Sequence, residues 1–214
     1  MIIKNKTIYL WDLAGTLFPE EWNIKKTGFN SYSNWLQYKL GKRLKSISDR
    51  EYETGYQIPY TQGWYFNLKL VPHFKKVLSW TKHNETFSTG NKEQVSWRAQ
   101  YLNPKIGFDL TKYFQKLNST FDYGKTNKKT KKMLVKYLDR KYQQGYKTVV
   151  YTDDKLDNLV FFKKAGELIK NKYPDFSFRL YNIFNSKSGL KNKKAYHEIS
   201  GLLGLLANEK KLIK

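Results

Sequence analysis

The stretch TIYLWDLAGTLFP, Thr7 to Pro19, decides how the rest of the chain is read. Its apolar run, Ile8 to Trp11, stops abruptly at Asp12, and Gly15 and Thr16 follow three and four residues later. A short run that is apolar at successive positions predicts a strand buried on both faces of a parallel sheet. Asp12 then stands at the carboxyl end of that strand, the edge at which open α/β sheets bind ligands. Taken alone, D-x-x-G-T is also an ordinary strand-to-turn transition, because Asp and Gly are turn residues.

Three later stretches carry the reading further: FSTGN at Phe87 to Asn91, YGKTN at Tyr123 to Asn127, and VVYTDDKLDN at Val149 to Asn158. Each sits after, or just before, a plausible strand. In this order and spacing the four stretches resemble the four motifs of the haloacid dehalogenase-like (HAD) superfamily of phosphohydrolases and phosphotransferases, over nearly the whole chain. The resemblance implies an α/β fold, a doubly wound, Rossmann-like parallel sheet with a small helical cap inserted after the first strand. The core is expected in residues 1–18 and 71–214 and the cap in 19–70.

Phosphoryl transfer onto a carboxylate needs a nucleophile, a cation for the non-bridging oxygens, and donors that hold those oxygens in line. By resemblance to the first motif, Asp12 is the nucleophile and a magnesium ligand, with the backbone carbonyl of Ala14 as a second ligand. By the second, Ser88 donates to the phosphoryl group, Thr89 is the neighbouring candidate one register away, and Gly90 belongs to the same phosphate-binding turn. Lys125 matches the third-motif lysine that spans nucleophile and phosphate, and its ammonium would keep Asp12 ionised. Lys128 and Lys129 rank behind it. The fourth motif reads G-D-x-x-x-D or D-D-x-x-x-N, and Thr152 to Asn158 satisfies both except that Thr152 replaces the glycine. Asp153 is the leading magnesium ligand, with Asp157 or Asp154 binding the ion directly or through water, as suits a hard cation. Helix capping accounts for one of these acids, not for three.

The departure from the pattern is Ala14. HAD phosphatases usually carry a second aspartate two residues after the nucleophile, where it protonates the leaving oxygen and then activates water. General acid–base help is worth about 10² to 10⁴ in rate, so a plain phosphomonoesterase is handicapped by that factor unless Glu20 or Glu21 folds back to serve. An alanine here resembles phosphonoacetaldehyde hydrolase, whose first motif reads D-x-A-G-T and whose cap supplies a Schiff-base lysine; Lys25, Lys26, Lys39, Lys42 and Lys45 are the candidates. A third reading is a catalytically impaired HAD scaffold that binds an anion or nucleic acid.

Composition bounds these readings. A chain of 214 residues holds one well-cored domain plus a small insertion. Hydrophobic residues at 40% and aromatics at 17% exclude global disorder. No cysteine is present, which excludes disulfides, thiolate catalysis and thiolate metal sites. No apolar run approaches the roughly 20 residues that span a bilayer, and MIIKNKT lacks a secretory h-region, so a cytoplasmic location is expected. The net charge of +22 suggests anionic partners. Lysine outnumbers arginine 35 to 5, however, and dedicated nucleic-acid readers favour arginine's bidentate fork, so nucleic acid is not the favoured partner.

Along the chain, Tyr32, Trp35, Leu36, Tyr38, Lys39 and Leu40 predict a helix with an aromatic face, and Ser48 caps a second one. Phe74, Val77, Leu78 and Thr81 mark a helix opened by Val71-Pro72-His73. Glu85-Thr86-Phe87 is a weak strand, followed by a helix bearing Val95, Trp97 and Leu102. A short strand or loop is expected around Ser119 to Tyr123. A helix over 128–143 buries Met133, Leu134, Tyr137 and Leu138, with its lysines in solvent. Strands are expected over Tyr146 to Thr152 and Phe178 to Ile183, a helix through Leu159, Phe161, Phe162 and Ala165, and a final helix from Ile199 to Leu206.

Overall fold

The computed structural model describes residues 6–17, 21–62, 64–66, 70–89, 112–124, 128–183, 196–199 and 201–212. The helix expected around Val95, Trp97 and Leu102 lies outside them, as do Glu20, Gly90 and Lys125.

Six strands form one sheet: β1 (Lys6–Trp11), β4 (Asn84–Ser88), β5 (Lys116–Ser119), β6 (Tyr146–Asp153), β7 (Ser177–Ile183) and β8 (His197–Ile199). Their spatial order is β5-β4-β1-β6-β7-β8, and every neighbouring pair is parallel. From β1 the chain adds β4 and β5 on one side, then β6, β7 and β8 on the other. The strand order therefore reverses at β1, and the crevice between the carboxyl ends of β1 and β6 is a topological switch point.

Strand alternation explains why β1 is apolar on both sides. Tyr9 and Trp11 join one core with Phe74, Val77 and Leu78 of α4 (Phe74–Thr81) and with Leu202, Leu205 and Leu206 of the last helix, α8 (Leu202–Leu212). Ile8 and Leu10 join the other, with Met133, Leu134, Tyr137 and Leu138 of α6 (Lys131–Gln143) and with Leu159, Phe162, Ala165 and Ile169 of α7 (Leu156–Lys172). Burying each such large side chain contributes about 1.5–3 kcal/mol. Gly166 lets α7 lie flat on the sheet, since a Cβ there would come within 2.9 Å of three atoms of the Phe178 ring.

The buried charges of the two cores that the described residues show are paired, since an unpaired one is costly. Glu209 brings α8 onto the sheet: Arg179 donates to its two oxygens at 2.7 and 2.6 Å, and the Tyr9 and Tyr181 hydroxyls donate at 3.1 and 2.8 Å. Glu85 on β4 accepts from Lys141, Tyr137 and Asn118 at 2.5, 3.0 and 2.8 Å, which fastens α6 to that half of the sheet.

Between β1 and α4 the chain builds a separate small unit. A two-stranded antiparallel sheet, β2 (Glu21–Trp22) with β3 (Tyr65–Phe66), brackets α1 (Ile24–Thr27), α2 (Tyr32–Leu40) and α3 (Asp49–Thr61). Its core is aromatic: Tyr32, Trp35 and Leu36 are buried against Trp22, Phe29, Tyr52 and Trp64. Ser48 caps α3 as expected, its hydroxyl accepting from Glu51 N while Glu51 Oε2 accepts from Ser48 N. Val71 N donates to Leu17 O at 2.9 Å, so the segment leaves and re-enters the larger unit at one place. Trp22 packs against both cores.

Two expectations shift. Where a short strand or loop is expected around Ser119 to Tyr123, a strand that starts earlier, β5, ends at Ser119 and one helical turn follows, α5 (Phe121–Gly124). Ile199 belongs to β8 and not to the final helix, which starts at Leu202 after Gly201 at φ 147°. An edge strand of three residues is too short for alternation to reveal.

Candidate active site

The register of β1 against β6 sets the site. Tyr9 pairs with Val150 and Trp11 with Thr152, and Asp12 N donates to Thr152 O at 3.0 Å. Asp12 and Asp153 therefore emerge side by side, on the face that carries Leu10 and Tyr151. Asp154 follows, and one carboxylate oxygen from each of Asp12, Asp153 and Asp154 lies within 4.8 Å of the others. Asn182, the partner of Asp153 on β7, fixes the turn by donating from Nδ2 to the carbonyls of Asp153 and Asp154, both at 3.1 Å.

Among the described residues one ammonium enters this cluster. Lys129 Nζ lies 2.6 Å from Asp12 Oδ1, 2.6 Å from Asp153 Oδ2 and 2.9 Å from the Tyr151 hydroxyl, with its side chain fully buried. Its backbone immediately precedes Thr130, the N-cap of α6, whose hydroxyl accepts from Met133 N. Because α6 is locked to the sheet by its apolar stripe, the lysine ahead of its cap is delivered to one spot.

Asp153 is saturated. Its Oδ1 accepts from Lys155 N at 2.8 Å and Asn158 Nδ2 at 3.1 Å; its Oδ2 accepts from Lys129, from Asn158 at 3.0 Å and from the Tyr151 hydroxyl. The other two carboxylates are far less engaged among the described residues. Asp12 Oδ2 accepts no hydrogen bond, and from other residues Asp154 takes only the Thr16 hydroxyl at 3.4 Å. Gly15, at φ 81°, gives the Asp154 carboxylate its room: a Cβ there would come within 2.8 Å of Oδ1 and closer to the rest of the group.

Burial with like charges shapes the titration. Burial pushes Asp12 up to about 7; Lys129 opposes this, while Asp153 and Asp154 add to it. Asp154 is raised by burial and by Asp153. For Lys129 burial is the largest single effect and pulls down, yet the carboxylates of Asp12 and Asp153 together more than reverse it, so the ammonium stays charged. Tyr151 is raised well above the ordinary phenol range by burial and then by Asp153, so it stays a neutral hydroxyl. Among the described residues three carboxyl groups face one ammonium, the chemistry of an oxygen-ligand site for a hard cation.

Of the residues expected from sequence, Asp12, Asp153 and Asp154 come together. Ser88 is buried at the last position of β4 and Thr89 follows half-buried. Ala14 is half-buried in the loop after β1. Asp157 is exposed in the first turn of α7, outside the three-carboxylate group. The ammonium expected from Lys125 is, among the described residues, that of Lys129. Lys129 ranked behind Lys125 in the sequence, Asn158 closed the fourth-motif stretch without a role of its own, and Tyr151 and Asn182 were missed. Lys129 had a signal, since it stands directly before a Thr cap, and so did Tyr151, two residues before Asp153 and hence on its face.

No protein-family model and no curated protein matches the chain. Solved structures do. A family IA, variant 3 HAD hydrolase from Entamoeba histolytica is similar with a TM-score of 0.54 at 15% identity, over 92% of this chain and 94% of that one. A HAD family enzyme from Bacteroides thetaiotaomicron, solved as a magnesium complex, gives 0.47 at 18% identity over 89% and 98%. The HAD domain of the effector protein Lem4 from Legionella pneumophila gives 0.46 at 12% identity over 86% and 89%. At these identities the likeness is one of fold. The doubly wound α/β fold of this chain is that of the HAD-family hydrolases.

Proposed function

We propose that this chain is a magnesium-dependent hydrolase of phosphate esters that acts on a phosphorylated small molecule through an aspartyl-phosphate on Asp12. The observation that carries the reading is the division of labour among the three carboxylates. Asp153 is filled by donors and clamps Lys129, while among the described residues Asp12 Oδ2 accepts no hydrogen bond and Asp154 takes only the Thr16 hydroxyl from another residue, beside Gly15. The residues suited to hold magnesium are therefore Asp12, Asp154 and the Ala14 carbonyl, with Asp153 orienting and Asp157 left out. Magnesium bound there would neutralise the phosphoryl oxygens and offset the like charge of the cluster.

The chain's own groups do the rest. Asp12 attacks phosphorus as the ester oxygen departs, and Lys129 keeps Asp12 aimed and favours its ionised form. Ser88 and Thr89, at the end of the neighbouring strand β4, would donate to non-bridging oxygens. Residues 19–70 act as the cap: the aromatic unit joins the core just after the Asp12 loop, through Leu17 and Val71. With alanine at position 14 the leaving oxygen goes unprotonated and the water that splits the aspartyl-phosphate unactivated, so chemistry is slow for alkyl esters.

Carbon–phosphorus cleavage by a cap lysine keeps Ala14 in its favour, but Lys25, Lys26, Lys39, Lys42 and Lys45 are all exposed, whereas desolvation is what activates such a lysine. A panel of phosphorylated metabolites assayed with magnesium tests the proposal. Turnover of at least one ester, abolished by Asp12→Asn, is expected. Activity that survives Asp12→Asn, or release of phosphate only from phosphonoacetaldehyde with a borohydride-trapped lysine, would sink it.

A further inference from the structure

We infer that Tyr151 is a positioning residue that makes Lys129 a clamp on Asp12 and withholds it from the phosphoryl group. The inference rests on the phosphate-ester reading above. An ammonium has three N–H bonds to give. Lys129 Nζ has three acceptors around it: Asp12 Oδ1 and Asp153 Oδ2 at 2.6 Å each, and the Tyr151 oxygen at 2.9 Å. The Tyr151 hydroxyl gives its own proton to Asp153 Oδ2, so its oxygen meets Lys129 as an acceptor. All three ammonium protons are thus taken by the chain itself. A lysine with only the two carboxylates would keep one N–H to turn toward an oxyanion, and Tyr151 removes that option.

The tyrosine is well held. It lies on β6 two residues before Asp153 and is fully buried. Its ring stacks on Phe162 with centroids 4.5 Å apart and planes 14° from parallel. Lys129 Nζ is 5.4 Å from the ring centroid and 2.9 Å from the hydroxyl oxygen, so it meets the ring from its hydroxyl end. The phosphoryl oxygens are then left to Ser88, Thr89 and the bound metal, and Lys129 acts on the reaction only by holding Asp12.

Tyr151→Phe keeps the ring and its stacking and removes only the hydroxyl. Calorimetry with inorganic phosphate in saturating magnesium should then show the variant binding phosphate about tenfold tighter than wild type, the worth of one charge-assisted hydrogen bond from the freed N–H. Magnesium affinity should stay within about threefold, because Tyr151 touches neither Asp154 nor Ala14. A merely structural role predicts the reverse, a looser site and weaker phosphate. Phosphate binding that is unchanged or weakened, with magnesium binding intact, would overturn the inference and leave the phosphate-ester reading standing. Wild type that binds neither magnesium nor phosphate would overturn that reading and this inference with it. Tyr151→Met gives the same comparison should the phenylalanine variant not fold.

Discussion

Replacing Lys129 with methionine removes the only cation that the described residues place among Asp12, Asp153 and Asp154, at nearly constant volume. Both of its ion pairs are at 2.6 Å, with the lysine side chain fully buried and the partners at 8% and 0% exposure. Removing one partner of such a buried pair costs about 3–5 kcal/mol, because the other charge is left without compensation. For a chain of this size 1 kcal/mol moves Tm by about 2–4 °C, so Tm at pH 8 should fall by roughly 6–20 °C. The loss should be pH-dependent, and its sign follows from Asp12. The folded-state value of about 7 lies above the ordinary 3.8, so the folded chain binds the extra proton between those limits. Asp12 therefore weighs against folding most fully above pH 7 and progressively less as pH falls toward 4. Without Lys129 this dependence steepens: the variant should recover part of its lost Tm at pH 6, and part again at pH 8 on adding magnesium. Thermal unfolding by circular dichroism at both pH values, with and without magnesium, gives all four numbers. A Tm within about 2 °C of wild type at pH 8, insensitive to pH, would show that Lys129 is not the buried counter-ion, and the site geometry would have to be abandoned.

Magnesium must displace the Asp12 proton, so its affinity should rise from pH 5 to 7 and level off above, with proton release visible in buffers of different ionisation enthalpy. Asp154→Asn should cost more than about 100-fold in magnesium affinity, and Asp153→Asn only the roughly 10- to 100-fold of a residue that orients a ligand; the opposite order would return Asp153 to the metal. Ala14→Asp should raise steady-state turnover of alkyl phosphates by about 10² to 10⁴, and no gain would mean another group already serves as the acid. The basic surface should hold DNA or RNA only at about micromolar Kd or weaker at physiological salt, with affinity falling log-linearly as salt rises; tight binding that survives Asp12→Asn would favour the scaffold reading.

The first and fourth motifs were legible because each joins a strand to an acid at its carboxyl end, and the run Ile8 to Trp11 and the pair Val149-Val150 are apolar enough to announce those strands. Sheet order then brings the two ends together, which needs only the right-handed crossovers of a parallel sheet. The lysine was harder. Gly124-Lys125 looks like a turn delivering a cation; Lys125 lies outside the described residues, and among those described the ammonium in the site is that of Lys129, set by where α6 begins. Seven lysines and arginines on or just ahead of that helix, Lys128 to Lys141, look alike in sequence, and only the buried stripe from Met133 to Leu138 determines which of them is turned inward. The fourth-motif pattern left Asp157 and Asp154 equally open, and among the described residues it is Asp154 that gathers with Asp12 and Asp153, in the room left by Gly15. Tyr151 reads as one more aromatic in a buried strand until its hydroxyl is seen between a lysine and a carboxylate.

The central claim is that Asp12 accepts a phosphoryl group, and rapid-quench measurement with p-nitrophenyl phosphate and magnesium tests it most directly. This ester's leaving group needs little protonation, so the missing acid at Ala14 should not prevent the first step. The account predicts a burst of nitrophenolate close to one equivalent per chain, then a slow steady state, with phosphate bound to the quenched protein, labile to hydroxylamine and absent in Asp12→Asn. Wild-type protein that shows neither burst nor bound phosphate, while Ala14→Asp is equally inert, would contradict it.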